Sequence, residues 1–150
     1  MKVVHGLESV WNPLIAVSRG HSEWVSRITF SHDGSRLASA SYDRTVRLWD
    51  STTGVHIATL EGHSDSVYCV AFSPGDSRLA SASDDETVRL WDGKALAHIA
   101  TLRGHSKAIF FSGDGSRLAS ASYDCTVRLW DGKTGMYITV LVGHSEEVYP

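Results

Sequence analysis

Apolar residues in this chain recur at every second position in short runs separated by turn residues, with no helical heptads between them, so the pattern predicts β-strands throughout. In Thr45-Val46-Arg47-Leu48-Trp49, Val46 and Leu48 point one way while Arg47 and Trp49 point the other, and both faces carry bulk. A strand of that kind belongs in a sheet packed between two similar sheets. Leu37, Ser39 and Ser41 alternate with Ala38 and Ala40, which leaves small residues on one side where a neighbouring sheet can come close. Val25, Ile28 and Phe30 break strict alternation with a gap of three and then two, as do Val67, Val70 and Phe72. This spacing predicts a β-bulge in each of those strands.

The strand pattern is itself repeated. Gly-His falls at Gly20-His21, Gly62-His63, Gly104-His105 and Gly143-His144, at intervals of 42, 42 and 39 residues, and Trp-Asp falls at Trp49-Asp50, Trp91-Asp92 and Trp130-Asp131. Asp33 to Asp50 and Asp114 to Asp131 read identically except for Arg44 against Cys125. Each unit parses into four strands, in the second unit Val67 to Phe72, Arg78 to Ser83, Thr87 to Trp91 and His98 to Leu102. The first turn carries Asp33-Gly34, Pro74-Gly75 or Asp114-Gly115, and the third contains Gly54 or Gly135. Lys94-Ala95-Leu96 lacks that glycine, so the third turn of the second unit is expected to differ. The chain divides into residues 1–19, a leader with one outer strand, and a repeat array over 20–150 with units 20–61, 62–103 and 104–142 and a partial fourth unit at 143–150. The third unit is short before its first strand: His63 to Phe72 spans nine residues, His105 to Phe111 only six. The loss predicts that the bulge disappears, that Ile109 and Phe111 keep their core positions, and that His105 falls short of Asp124.

Composition narrows the function classes. A chain of 150 residues buries roughly two thirds of its unfolded surface, enough for a core. A formal charge of -3 and a pI near 6.2 give no basic footprint for nucleic acid. No run approaches the roughly 20 apolar residues that span a bilayer, and the first residues lack the apolar stretch of a signal peptide, so no membrane insertion is expected. Cys69 and Cys125 lie in different units and outside any repeated framework, which reads as free thiols in a cytoplasmic protein.

Gly-His followed by Trp-Asp at this period resembles the WD-repeat family of β-propellers, over roughly Leu14 to Tyr149. The resemblance implies an all-β partial propeller of about three four-stranded antiparallel blades, an open arc rather than a closed ring, since rings use about four to eight blades. It also implies a hydrogen-bond network in each blade, joining His21, Ser39, Asp43 and Trp49, then His63, Ser81, Asp85 and Trp91, then His105, Ser120, Asp124 and Trp130. Serine, histidine and aspartate together invite a hydrolase reading, but the set recurs in every unit beside a tryptophan, without a nucleophile elbow or an oxyanion hole. Histidines about 40 residues apart follow the repeat period and not the spacing of metal ligands. Gly132-Lys133-Thr134 mimics the end of a phosphate-binding loop, yet its leading glycine would fall at Val127 inside a strand, so no cofactor is expected.

Family resemblance places partner contacts on the rim, at Trp24, Ser26 and Tyr42, at Ser66, Tyr68 and Asp84, and at Tyr123. Arg47, Arg89 and Arg128 are expected to pack their stems along the strand faces and pair locally. Near-identical repeats and Val10-Trp11-Asn12-Pro13 in the leader resemble fungal WD-repeat arrays of heterokaryon-incompatibility proteins, where a nucleotide-switched module lies upstream. The fungal mitochondrial-division adaptors are a second resemblance. The chain therefore reads as a non-enzymatic scaffold or recognition module for protein or peptide partners, a fragment of a larger propeller. The alternatives are an arc that completes a ring as a homo-oligomer through its open ends, and a truncated product without an independent role.

Overall fold

A computed structural model describes residues 18–104 and 107–143. The expectations for the leader strand near Leu14, for His105 and for the unit begun at Gly143-His144 lie outside those residues. The first sheet comprises β1 (Val25–Phe30), β2 (Arg36–Ser41), β3 (Val46–Asp50) and β4 (His56–Leu60). The second comprises β5 (Val67–Phe72), β6 (Arg78–Ser83), β7 (Thr87–Asp92) and β8 (His98–Arg103), and the third β9 (Ala108–Phe111), β10 (Arg117–Ala121), β11 (Thr126–Asp131) and β12 (Tyr137–Val142). Every sheet is an antiparallel meander in chain order, and no helix occurs among the described residues. The second sheet packs between the other two, through β1 and β2 against β5 and through β5 and β6 against β9. The described residues form an open arc of three blades.

The strand patterns account for the packing. Ala38, Ala40, Val46, Leu48 and Leu60 of the first blade meet Val70, Leu79 and Trp91 of the second in one buried cluster. Ala80, Ala82, Val88, Leu90 and Leu102 of the second meet Ile109, Leu118 and Trp130 of the third in another. Alanines in the second strands let the large leucines and tryptophans of the next blade seat against the backbone. Burying a side chain such as Leu79 or Leu118 stabilises the arc by roughly 1.5–3 kcal/mol. The same two faces are uncovered by protein at the ends of the described arc. Ile28 and Phe30, which correspond to the buried Val70 and the half-buried Phe72, are 58% and 61% exposed, and Leu141, which corresponds to Leu60, is 50% exposed.

The bulges form where the spacing predicts them. Register shifts between Val25 and Arg27 against β2, and between Val67 and Cys69 against β6. In β9 the pairing runs without interruption from Ala108 opposite Ala121 to Phe111 opposite Leu118. Ile109 is buried and Phe111 packs against the second cluster, so the shortened unit gives up the bulge and keeps the core.

The third turn of the second blade departs from expectation. It is the same turn as its counterparts: Leu96 N–H donates to the Asp92 carbonyl at 2.9 Å, as Gly54 does to Asp50 and Gly135 to Asp131, both at 2.8 Å. Leu96 takes the left-handed conformation itself, with φ of 57°. Its side chain packs against the first core cluster, which offsets a backbone cost of roughly 1–2 kcal/mol. Gly135 has no such freedom, because a Cβ there would lie 2.7 Å from Leu102 Cδ2 and 2.9 Å from the Ala100 Cβ.

A further contact ties the first blade to the second. Where the outer units read Asp33-Gly34 and Asp114-Gly115, the middle unit reads Gly75-Asp76. Asp33 and Asp114 accept hydrogen bonds inside their own turns, from Ser35 N and Ser116 N at 2.9 Å. Asp76, at φ 58°, instead reaches the preceding blade and accepts from His32 N at 2.7 Å and Asp33 N at 3.1 Å. The inverted dipeptide turns a local cap into a latch between blades.

Candidate functional site

Two sets of residues carry chemistry in this arc, one inside each blade and one along the rim. In the first blade the turn between β2 and β3 presents Asp43 to the histidine ahead of β1, and the side chain of Ser39 points into the blade beneath both. His21 Nδ1 lies 2.8 Å from Asp43 Oδ2, His21 Nε2 lies 2.7 Å from Ser39 Oγ, and Trp49 Nε1 donates to Ser39 Oγ at 2.8 Å. The second blade repeats the set with His63 to Asp85 at 2.8 Å, His63 to Ser81 at 2.8 Å and Trp91 to Ser81 at 3.0 Å. In the third, Trp130 donates to Ser120 at 2.9 Å, and the part of His105 lies outside the described residues. With Nδ1–H donated to the aspartate, Nε2 accepts from the serine hydroxyl, and the serine oxygen accepts the indole N–H, so each polar group is used.

The electrostatics agree with that proton assignment. Burial pushes the His63 pKa below its ordinary value, which keeps the ring neutral, despite the opposing pull of Asp85. Burial alone would raise Asp43, but hydrogen bonds from Thr45, His21 and the Ser22 N–H bring it down to about 2. Asp85 is lowered by the same balance, with Thr87 and His63 outweighing burial. A hydrolytic serine has to meet its substrate, and Ser81 is 0% exposed while Ser39 and Ser120 are buried. The network holds the turn, the histidine and the tryptophan in one place.

In the three repeat units the arginine of the third strand lies against the glycine of the Gly-His pair, while nothing lies within 4 Å of a Cβ on Gly143. A Cβ on Gly62, at φ +139°, would lie 2.6 Å from Arg89 Nη1, and one on Gly20 would lie 2.5 Å from Arg47 Nη1. Arg128 Nη1 donates to the Arg103 carbonyl at 3.0 Å and Nη2 stands 3.6 Å from Asp124. Arg128 thus pairs locally as expected, whereas the buried Nε of Arg47 and of Arg89 has no hydrogen-bond partner among the described residues.

Along the rim the structure brings three of the four named aromatic residues together across the first two blades. Trp24 and Tyr42 stack with ring centres 6.3 Å apart at 26°, and Tyr42 meets Tyr68 edge-on at 5.3 Å. Trp24 is 78% exposed, and Tyr42 and Tyr123 are also exposed. The interaction with Asp84 pushes the Tyr68 phenol well above the ordinary tyrosine range. The two serines stand apart from this ridge. Ser26 Oγ spends its proton on the Ala40 and Val67 carbonyls and so bridges the first two blades, and Ser66 offers its carbonyl to Asp84 N at 2.9 Å.

Lys107 belongs to the rim although its type and spacing did not single it out. Because β9 starts without a bulge, Lys107 directly precedes the Ala108–Ala121 pair, the place Tyr68 and Ser26 hold before Cys69 and Arg27. Its ammonium lies 2.8 Å from Asp84 Oδ1. A cavity of about 300 Å³ opens beside it on the inner side of the arc, with Ser26, Arg27, Tyr68, Cys69, Phe110 and Tyr123 among its walls. The missing residues before β9 were the available signal. What they moved into place depends on the pairing of β9 with β10.

Comparison with known proteins agrees with this architecture. Over 48 residues the chain is 42% identical to the vegetative incompatibility protein HET-E-1 of Podospora anserina, a stretch that is 32% of this chain and 4% of that protein. It is 41% identical over 54 residues to ribosome assembly protein 4 of Saccharomyces cerevisiae, 33% of this chain and 10% of that one. Over 37 residues it is 51% identical to the small ribosomal subunit protein RACK1 of Dictyostelium discoideum, 25% of this chain and 11% of that one. The matched stretches are thus a small part of those relatives. Among solved structures, U3-55K superposes with a TM-score of 0.80 at 27% identity, over 88% of this chain and 43% of that chain. The WD40 repeats of RRP9 do so at 0.80 and 28%, over 88% and 42%. Residues 12–50, 54–92 and 96–131 match the family described as WD40: WD domain, G-beta repeat, three matches that together cover more than half of the sequence, and the chain belongs to that family.

Proposed function

We propose that this chain is a protein- or peptide-recognition module without catalytic chemistry, a part of a larger propeller, whose working surface is the rim ridge of Trp24, Tyr42, Tyr68 and Tyr123 with Asp84. The observation that carries the reading is the continuity of that ridge, from the Trp24–Tyr42 stack of the first blade to Tyr68 of the second, with Lys107 lying between Tyr68 and Tyr123 of the third. Large aromatic side chains held by one another bury much area on binding at little entropic cost. The inner networks support the non-enzymatic reading, since their serines are buried and their polar groups are committed to one another. Two unpaired cysteines, one of them buried, favour the cytoplasm.

An unbiased library of peptides of about twelve residues, selected on the whole chain, tests the rim. Binders should be lost on Tyr42→Ala and Trp24→Ala, with folding checked by circular dichroism. Binding that survives both substitutions removes the rim from the reading.

A second reading has an observation of its own. The face that carries Ile28 and Phe30 and the face that carries Leu141 are the two halves of the interface found twice within the arc. Two copies would therefore meet head to tail and extend the ring. Sedimentation should then show a species of about twice 16.4 kDa that Phe30→Lys abolishes, and a single monomeric species at all concentrations rejects it.

A further inference from the structure

The rim already holds a cation. Lys107 Nζ stands 3.7 Å from the centre of the Tyr68 ring and 4.6 Å from that of Tyr123, with Asp84 Oδ1 at 2.8 Å. Both rings lie within the range over which an aromatic face attracts a cation, and the carboxylate adds its charge. One ammonium thus joins the Tyr68 ring to the Asp84 carboxylate.

One junction back the surface has the same character. Trp24 and Tyr42 stack, Tyr42 meets the edge of Tyr68, and among the described residues no cation lies over Trp24 or Tyr42. Glu23 and Asp65 are exposed in the loops that carry Trp24 and lead to Tyr68. Leaving aside the aspartates of the inner networks, the rim sets Glu23, Asp65, Asp84 and Glu86 against Arg27, Arg44 and Lys107, so it is acidic by one charge. An acidic ligand would be repelled there, and an apolar one would take the carboxylates out of water without a partner. A basic side chain meets both the π faces and the charge.

Resting on the rim reading above, we infer that the Trp24–Tyr42–Tyr68 face receives the side-chain cation of a basic peptide segment, a lysine ammonium or an arginine guanidinium, laid against the aromatic rings. Lys107 is the chain's own copy of that contact at the next junction. The Trp24 ring supplies the platform, Tyr42 holds its tilt, and Glu23 and Asp65 draw the cation in.

The whole chain titrated with acetyl-Gly-Gly-Lys-Gly-Gly-amide and with its norleucine counterpart, followed by NMR at the backbone amides of Tyr42 and Tyr68, tests this. The lysine peptide should bind roughly fivefold or more tightly than the neutral one. Trp24→Leu keeps the bulk and removes the indole face, and should bring the two peptides to parity. Equal binding of the two by the unaltered chain, or a lysine preference that survives Trp24→Leu, overturns the inference. The peptide library separates this from the broader reading: rim-dependent binders rich in lysine and arginine support it, and rim-dependent binders without them overturn the cation class while the rim stands. A library without binders that depend on Trp24, Tyr42 or Tyr68 overturns both.

Discussion

Replacing Asp76 by alanine should loosen the first blade from the second, and the structure gives the size of the effect. Asp76 is buried and accepts two backbone hydrogen bonds across the junction, from His32 at 2.7 Å and from Asp33 at 3.1 Å. A hydrogen bond to a charged acceptor contributes roughly 1.5–3 kcal/mol, but His32 and Asp33 are exposed, so water recovers part of each when the carboxylate is removed. The net loss should be about 2 kcal/mol for Asp76→Ala, which lowers the melting temperature of a chain this size by about 4–8 °C. Glycine at the same place loses the same hydrogen bonds but relieves the left-handed φ of 58°, and should be about 1 kcal/mol less harmful than alanine. Urea titration followed by tryptophan fluorescence measures the difference, and hydrogen exchange at the His32 and Asp33 amides localises it. An Asp76→Ala midpoint within about 0.5 kcal/mol of the parent, or unchanged protection of those two amides, would refute the latch.

Ser81→Ala strands the Trp91 indole N–H and His63 Nε2 in a fully buried place and should cost about 2–4 kcal/mol in urea stability, a loss that an exposed serine such as Ser35 would not show. Thermal stability should fall with acid in two stages. His63 is held neutral by burial, so the unfolded chain takes up its proton first and stability begins to drop below about pH 6.5. Asp43 at about 2 and the lowered Asp85 add stability that is intact above the unfolded carboxylate range near 4 and is lost as pH falls towards about 2. A melting temperature that stays level from pH 7 to pH 5 would remove the histidine stage. Gly135→Ala meets Leu102 and Ala100 and a φ of +74°, and should cost about 2–3 kcal/mol, against about 1 kcal/mol for Gly34→Ala, where φ is +71° and nothing lies within 4 Å. Equal losses at the two glycines would show that backbone conformation alone decides.

Much of the site is legible in one dimension because its geometry is local to a unit. Ser39 and Trp49 lie ten residues apart, on adjacent strands of one meander, so the alternation that forms the strands also aims them at each other. His21 and Asp43 sit on loops at one end of the same sheet, and the repeat of their spacing marks them as a set. The rim residues are less readable. Ser26 occupies the same place as Tyr68 along its strand, yet its hydroxyl bridges two blades, because a short side chain there reaches the carbonyls that a tyrosine passes over. The third turn shows the limit from the other side: the missing glycine at Leu96 implied a different turn, but burial of the leucine against the preceding blade outweighs the strain of its backbone.

Strand alternation, turn residues and their repetition determine by themselves the blades, their bulges and the shortened inner strand, because each depends on contacts within one unit, while the members of the inner network follow from the resemblance to the WD-repeat family. The placement of Lys107 between Tyr68 and Tyr123, the latch of Asp76 onto the first blade and the seating of Leu96 depend on how one unit meets the next. Lys107 meets Tyr68 and Asp76 meets His32, 39 and 44 positions apart on separate sheets, and only the packed arc sets the distance between them.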